Sequence, residues 1–256
     1  MQIKYKKLMV IALAAIAMPA ANAATCAEKS AAQSTPQRAV LLELYTSEGC
    51  DSCPPADQWL SGKKKDGKLS GVVPLAFHVD YWDNLGWKDR FASALHTERQ
   101  HLQVMRASGK FAYTPQFIKN GSDWRRSERV VSEPRDAGAT ISMELATPTQ
   151  GAWTINARIQ SLVPKSPAEM WLAIFENNLD SKVTAGENKG ESLHHDFVVR
   201  KYVGPIPLAA DGRLVVSQAL SIDSAWKRND LGVAVVVQDS RTGDVLQALA
   251  QTACAL

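Results

Sequence analysis

The sequence predicts an α/β domain at residues 24–139 followed by an all-β, sandwich-like domain at residues 140–256. Apolar runs at residues 39–45 and 72–79 flank a helical segment that begins at Pro54, which is typical of a right-handed parallel strand–helix–strand unit. Beyond residue 140, short alternating or apolar runs separated by turn residues indicate antiparallel strands. The chain therefore changes architecture near its middle.

Residues 1–23 have the pattern of an export signal. Lys4, Lys6 and Lys7 precede an apolar stretch at 8–17, which is too short to span a bilayer. Small residues at positions 21 and 23 predict cleavage after Ala23. We therefore expect a periplasmic or secreted protein without membrane insertion after cleavage.

The charge balance argues against polyanionic partners. The signal carries three of the 29 Lys and Arg residues and none of the 26 Asp and Glu, so the remaining formal charge is zero. Nucleic acid and anionic membrane surfaces attract strongly basic proteins. Neither is expected as a partner.

The remaining elements follow from periodicity and turn residues. Residues 24–37 are expected to be an extended leader, 88–107 a helix, and 116–119 a short strand that Asn120-Gly121 joins to another near Trp124. A closing helix is expected at 127–139. Strands of the second domain are expected at 141–145, 152–159, 171–175, 196–202, 213–219, 231–238 and 245–251.

The chemistry is expected at Cys50 and Cys53, which stand two residues apart at the start of the first helix. A helix N-terminus favours the thiolate, and two such cysteines can attack and resolve a disulfide. Cys50 is expected to be the exposed attacking sulfur and Cys53 the buried resolving one. Asp51 and Glu48 disfavour a second anion, which favours a reductase or isomerase over a strong oxidant. An inert bridge and a metal site remain alternatives.

The other two cysteines lie near the ends of the expected mature chain. A Cys26–Cys254 disulfide would close almost the whole chain, and the loop-closure model assigns such a bridge roughly 4–5 kcal/mol. Free buried thiols are the alternative. Four cysteines allow three pairings, so the sequence leaves the connectivity open.

Three motifs carry a closer resemblance: residues 44–57 (LYTSEGCDSCPPAD), 77–87 (FHVDYWDNLGW) and 113–116 (YTPQ). They resemble a family of exported bacterial proteins of unknown function that is assigned to the thioredoxin-like superfamily. The resemblance extends to residues 186–190 and 195–200. It implies a thioredoxin-like fold for the first domain, without implying a settled activity.

In that fold the residue before a cis proline lies against the cysteine pair and helps to hold substrate. The resemblance places Thr114 and Pro115 in this role, with a cis bond between them. Trp82 and Trp87, with Tyr81, are expected to form a peptide-binding rim, since Trp and Tyr are favoured contact residues. A place in the core is their alternative.

Histidines supply the remaining candidates. His78, with Asp80 and Asp83 close behind, is a candidate proton shuttle beside the thiols or a structural histidine. Cu(I) at Cys50 and Cys53 is an alternative because thiolates suit it, and His78, His101, His194 and His195 are possible third ligands. Zinc is not expected, since no second CxxC or paired histidine spacing exists. His194 and His195 are expected to be loop residues.

The sequence thus predicts dithiol–disulfide exchange on thiols or disulfides of exported proteins, with an unknown redox partner and no organic cofactor. A copper-binding chaperone and a non-catalytic interaction module are the alternatives.

Overall fold

A computed structural model describes residues 1, 28–65, 67, 69–125, 130, 134–148, 151–163 and 166–253. The expected signal peptide and its cleavage site, Cys26, Cys254 and most of the expected helix at 127–139 lie outside these residues. None of the described helices has the length and apolar character of a membrane span.

Strands dominate the described chain. The two α-helices are α1 (Pro54–Lys65) and α2 (Ala94–Arg106), and short 3₁₀ turns lie at Asp83–Leu85 and Arg228–Asp230. The strands are β1 (Lys29–Gln33), β2 (Val40–Thr46), β3 (Val72–His78), β4 (Gln116–Lys119), β5 (Ser122–Trp124), β6 (Ala139–Ala146), β7 (Trp153–Ser161), β8 (Ala168–Glu176), β9 (Leu179–Lys182), β10 (Ser192–His195), β11 (Val198–Pro207), β12 (Arg213–Leu220), β13 (Leu231–Asp239) and β14 (Val245–Thr252).

One eight-stranded sheet joins the two halves of the chain. Its order is β14-β13-β8-β11-β3-β2-β4-β5, with β2 parallel to β3 and Val40 opposite Val72. The junction is the parallel pairing of β11 with β3, where Val198 lies opposite Ala76. A four-stranded sheet (β1-β6-β7-β12) and the hairpin β9–β10 complete the described strands.

Two hydrophobic cores lie on opposite faces of β8. Trp171, Ala173 and Phe175 belong to the core that contains β2, β3 and α1, whereas Leu172 and Ile174 face the four-stranded sheet. Because neighbouring strand residues point to opposite faces, all nine residues of β8 are buried. This strand is therefore shared by both cores.

The predicted fold class, an α/β thioredoxin-like domain followed by a β-sandwich, is wrong. Strands make up 45% and helices 14% of the chain, with two α-helices described. The strand–helix–strand unit β2–α1–β3 does form, but its sheet continues into β11, β8, β13 and β14 of the second half. Local periodicity indicated the strands, whereas the sheet that each strand joins depends on distant partners.

Three local expectations also differ from the structure. The helix expected at 88–107 begins only at Ala94, where the Ser93 side chain accepts a hydrogen bond from the Leu95 amide. Part of the expected leader forms β1, which pairs antiparallel with β6. In the described part of 127–139, residues 134–138 are not helical and β6 begins at Ala139.

Candidate functional site

Cys50 and Cys53 form a disulfide in the turn between β2 and α1, which confirms the expected pair. The turn is closed by backbone hydrogen bonds from Cys50 to Ser47 and from Cys53 to Cys50. Pro54 begins α1 in the first turn, where a missing N–H group costs nothing. The local sequence therefore sets both the turn and the start of the helix.

The expectation that Cys50 is exposed is wrong, since both cysteines are 0% exposed. Cys50 Sγ contacts two hydroxyl oxygens, Ser52 Oγ and Thr114 Oγ1, each at 3.4 Å. Trp82 Nε1 donates to Thr114 Oγ1 at 2.8 Å, which ties the aromatic loop to this side of the disulfide. The Thr114 contact agrees with the expectation that this residue lies against the cysteine pair.

A loop from the second half of the chain contacts the cysteine turn. Asn188 Nδ2 donates to the carbonyls of Glu48 and Cys50, both at 2.9 Å, and Asn188 is buried. Glu187 Oε2 accepts from the amide of Asp51 at 3.2 Å. We call residues 183–191, between β9 and β10, the covering loop. The sequence motif at 186–190 pointed to this loop without indicating its role.

The other predicted substrate residues lie around the disulfide. Thr114 and Pro115 are half-buried and joined by a cis peptide bond, as the resemblance implied. Trp82 and Trp87 are half-buried, and Tyr81 is 38% exposed. The role of these residues in holding a peptide stays a prediction.

Behind the cysteine turn, two histidines and three carboxylates form a buried cluster, which we call the His–carboxylate cluster: Glu48, Asp57, His78, Asp89 and His195. In the same order, these residues come from the turn after β2, α1, β3, the loop before α2, and β10. His78 Nδ1 lies 2.6 Å from Asp89 Oδ2, and the two imidazole rings are 5.0 Å apart.

His195 lies between two of these carboxylates. Its Nε2 is 3.2 Å from Glu48 Oε1 and its Nδ1 is 3.7 Å from Asp57 Oδ1, but neither contact has hydrogen-bond geometry. Burial lowers the pKa of His195, yet the two facing carboxylates outweigh burial and raise it to about 10. In the absence of another cation, His195 is therefore an imidazolium at neutral pH.

Two carboxylates of the cluster have a pKa below its usual value. Burial raises the pKa of Asp89, but the charge and hydrogen bond of His78 lower it to about 2. Burial likewise raises the pKa of Glu48, and its contacts with His195, Ser181 and Trp87 bring it below its usual value. Both groups are therefore anions at neutral pH.

One prediction about the histidines is corrected by the structure, and another stays untested. His78 contacts Asp89, rather than Asp80 or Asp83, and its role as a proton shuttle stays a prediction. His194 and His195 lie in β10 and not in a loop, which corrects that expectation. They face opposite sides, with His195 buried and His194 paired with Asp180. Periodicity alone did not mark Glu48, Asp57, Asp89 and His195 as a group, because they meet only through the tertiary structure.

Within the described residues, Asp57, His78 and His195 also form a set that could hold a metal ion. One ligand atom from each residue lies within 4.8 Å of the others. The alternative copper site at Cys50 and Cys53 is not tested by this arrangement, because the two sulfurs are bonded to each other.

Fold and site together define a predominantly β protein in which a helix-start disulfide lies over a buried His–carboxylate cluster. The chain belongs to the family described as "Protein of unknown function (DUF1223)", whose model matches residues 41–238. No curated protein matches the chain significantly.

Two solved structures share the fold. Protein AGR_C_4864 from Agrobacterium tumefaciens is 23% identical with a TM-score of 0.56, over 84% of this chain and 94% of that one. HBP35 of Porphyromonas gingivalis is 16% identical with a TM-score of 0.61, over 85% of this chain and 76% of that one. At these identities the similarity concerns the fold alone.

Proposed function

We propose that the protein performs dithiol–disulfide exchange on exported proteins through Cys50 and Cys53. The observation that carries the proposal is the disulfide at the N-terminus of α1, which closes only two intervening residues. Such a bridge constrains little of the unfolded chain, so stabilisation is a weak reason for it. Reversible redox chemistry is the better explanation.

The exchange begins with the reduced pair. The Cys50 thiolate attacks one sulfur of a client disulfide, forms a mixed disulfide and releases the other client sulfur as a thiolate, which takes a proton. The Cys53 thiolate then attacks Cys50 and releases the second client thiol. The client disulfide gains two electrons and the Cys50–Cys53 pair loses them. A dithiol reductant must reduce the pair again, unless the second step returns a rearranged disulfide to the client.

Cys50 is the better nucleophile for three reasons. It is the cysteine farther from the body of α1, Thr114 Oγ1 can donate to its sulfur, and the positive end of the helix dipole favours its thiolate. Asp51 and Glu48 oppose this effect, so the pair is expected to be a reductase or isomerase rather than a strong oxidant. Since Cys50 is buried, a client reaches its sulfur only when neighbouring residues move away.

A trapping experiment tests the proposal. Cys53→Ala should accumulate covalent client adducts through Cys50, because the resolving sulfur is missing. Cys50→Ala is the matched control and should accumulate far fewer adducts. Wild-type protein should also accelerate insulin reduction by a small dithiol, whereas both variants should not.

Other outcomes separate the alternatives. Adducts that are equal in the two variants, together with wild-type protein that does not accelerate insulin reduction, would reject exchange. Stoichiometric Cu(I) binding by the reduced wild-type protein, lost in both variants, would then favour the copper-binding chaperone. Export, and with it a periplasmic client, is checked by N-terminal sequencing of the protein recovered after expression with its native leader. The finer assignment to the thioredoxin-like superfamily is not needed for the proposal.

A further inference from the structure

The His–carboxylate cluster holds several buried polar atoms that have no hydrogen-bond partner among the described residues. They are His78 Nε2, both ring nitrogens of His195, and Glu48 Oε1. A buried polar atom without a partner is costly, because it has lost its hydrogen bonds to water. His195 Nε2 and Glu48 Oε1 lie 3.2 Å apart as an ion pair, so His78 Nε2 most needs a physical explanation, and native proteins satisfy such groups with water or an ion.

Outer contacts orient the histidine and aspartate of this cluster. Asp89 Oδ2 holds His78 Nδ1, which leaves Nε2 directed away from that carboxylate. Asp89 itself accepts hydrogen bonds from the amides of Glu48 and Phe91. Asp57 Oδ2 accepts from Thr46 Oγ1, and Asp57 Oδ1 lies 3.7 Å from His195 Nδ1. A carboxylate on the outer nitrogen of an imidazole is the usual support of a metal-ligating histidine.

The dimensions suit one small cation. The ligand atoms of Asp57, His78 and His195 lie within 4.8 Å of one another. Metal–ligand bonds of about 2 Å hold tetrahedral ligand atoms roughly 3.3 Å apart. Small side-chain rotations are therefore enough to bring the three groups onto one ion.

The net negative charge of the cluster also favours a bound cation. The cluster contains three carboxylates and two histidines, all buried, so it stays anionic even if both imidazoles are protonated. Buried charge is costly unless it is paired or bound to metal. A divalent cation would offset two of the three carboxylate charges while leaving both imidazoles neutral, as metal ligation requires.

We propose that Asp57, His78 and His195 bind a divalent transition metal. Imidazole and carboxylate ligands suit Zn²⁺, and three protein ligands leave one position of a tetrahedral ion for a water molecule. The ion would join α1, β3 and β10, and so fasten the β9–β10 hairpin to the first half of the chain. This site is separate from the cysteine pair and independent of the proposed exchange.

The test uses tag-free, full-length protein, because a histidine tag would bind the same ions. After chelation and re-equilibration with Zn²⁺, elemental analysis should find a single zinc ion per chain. His78→Gln and His195→Gln should lose it, whereas His194→Gln, whose ring lies on the opposite side of β10, should keep it. Equal loss in His194→Gln, or wild-type zinc content well below one ion per chain, would overturn the proposal.

Two further measurements guard against misfolded variants and thiolate binding. Co²⁺ added to the folded wild-type protein should give tetrahedral visible bands without sulfur-to-cobalt charge-transfer absorption. A Cys50→Ser/Cys53→Ser variant should keep the full zinc content, and zinc should raise the melting temperature of the chelated wild type. Charge-transfer absorption, loss of zinc in the cysteine variant, or an unchanged melting temperature would each contradict the site.

Discussion

At the scale of single residues, Arg99 places a positive charge in the core that contains β2, β3 and α1, which we call the first core. Its Nε donates to Glu43 Oε1 at 2.8 Å, and its guanidinium lies 3.9 Å from the Trp171 ring centroid. Burial lowers the pKa of Arg99, but the carboxylate of Glu43 outweighs burial and raises it above its usual value. Arg99 Nη2 lies 2.7 Å from Glu43 Oε1, so the two side chains form a buried ion pair.

Removing one partner of this pair should destabilise the protein strongly. We expect Arg99→Met to lower the free energy of unfolding by about 3–5 kcal/mol, because Glu43 is left as an unpaired buried charge. Denaturant unfolding measures the change. The control is Arg158→Met: Arg158 and Glu144 form an exposed pair at 3.5 Å, and their separation should cost at most about 1 kcal/mol. Similar losses in both variants would show that Glu43 is not held as a buried anion.

His96 is a buried histidine that the fold keeps neutral. Its Nδ1 lies 3.0 Å from the carbonyl of His78, and burial is the main reason that its pKa falls to about 4. The unfolded chain binds a proton with a pKa near 6.5, so between these values it holds more protons than the folded chain. The contribution of His96 to stability is complete above pH 6.5 and is lost as pH falls toward 4.

The lowered pKa of His96 predicts how the unfolding free energy depends on pH. His96→Gln should flatten the fall in unfolding free energy between pH 6.5 and 4, which is roughly 1.4 kcal/mol for each unit of pKa difference. His101→Gln, an exposed position on the same helix, should leave the slope unchanged. A slope that is the same in wild type and His96→Gln would show that His96 titrates normally in the folded protein.

At the scale of elements, the covering loop is fastened to the backbone of the cysteine turn. Asn188 is the side chain that fastens it, since its amide bridges the carbonyls of Glu48 and Cys50. The covering loop also contains Gly186 at φ +73°, where an added Cβ would lie 3.1 Å from Trp87 Cβ. The loop therefore packs closely against the aromatic segment that precedes α2.

Loosening this loop should expose the sulfurs. Asn188→Ala is expected to increase the rate at which a small dithiol reduces the Cys50–Cys53 bond several-fold, because both hydrogen bonds to the cysteine turn are lost. Lys189→Ala, an exposed neighbour in the same loop, should leave the rate unchanged. The rate is followed by alkylation of the released thiols. Equal rates in wild type and Asn188→Ala would mean that another segment limits access.

The strands that sequence patterns missed are short. β9 and β10 have four residues each and the sequences LDSK and SLHH, which lack a sustained alternation. They become strands because they pair with each other, with His195 opposite Leu179. The longer β7, β8 and β13 carried enough pattern to be placed correctly within a few residues.

At the scale of the whole molecule, the first core is completed by the second half of the chain. Trp171, Phe175 and Val236 pack with residues of β2, β3 and α1 in one cluster. The division of the chain near residue 140 stays a prediction, but these contacts give it a clear test. A fragment without them would expose a large apolar surface on β3 and its neighbours.

We expect a fragment of residues 24–139 to show no cooperative thermal unfolding, in contrast to the full-length chain. The physical reason is that burial of apolar surface supplies most of the stabilising free energy, and the fragment lacks the strands that provide it. Circular dichroism and calorimetry measure the transition. A cooperative transition of the fragment alone would instead support two independent domains.

The sequence by itself determined the type of most elements, the cysteine pair and the turn that starts α1. Those features depend on periodicity, turn residues and spacing within short segments. Only the tertiary structure decided that β3 pairs with β11, that Cys50 is covered, and that Asp57, His78 and His195 meet. These outcomes depend on which strands become neighbours, and that choice is made by the burial of distant apolar surfaces against one another.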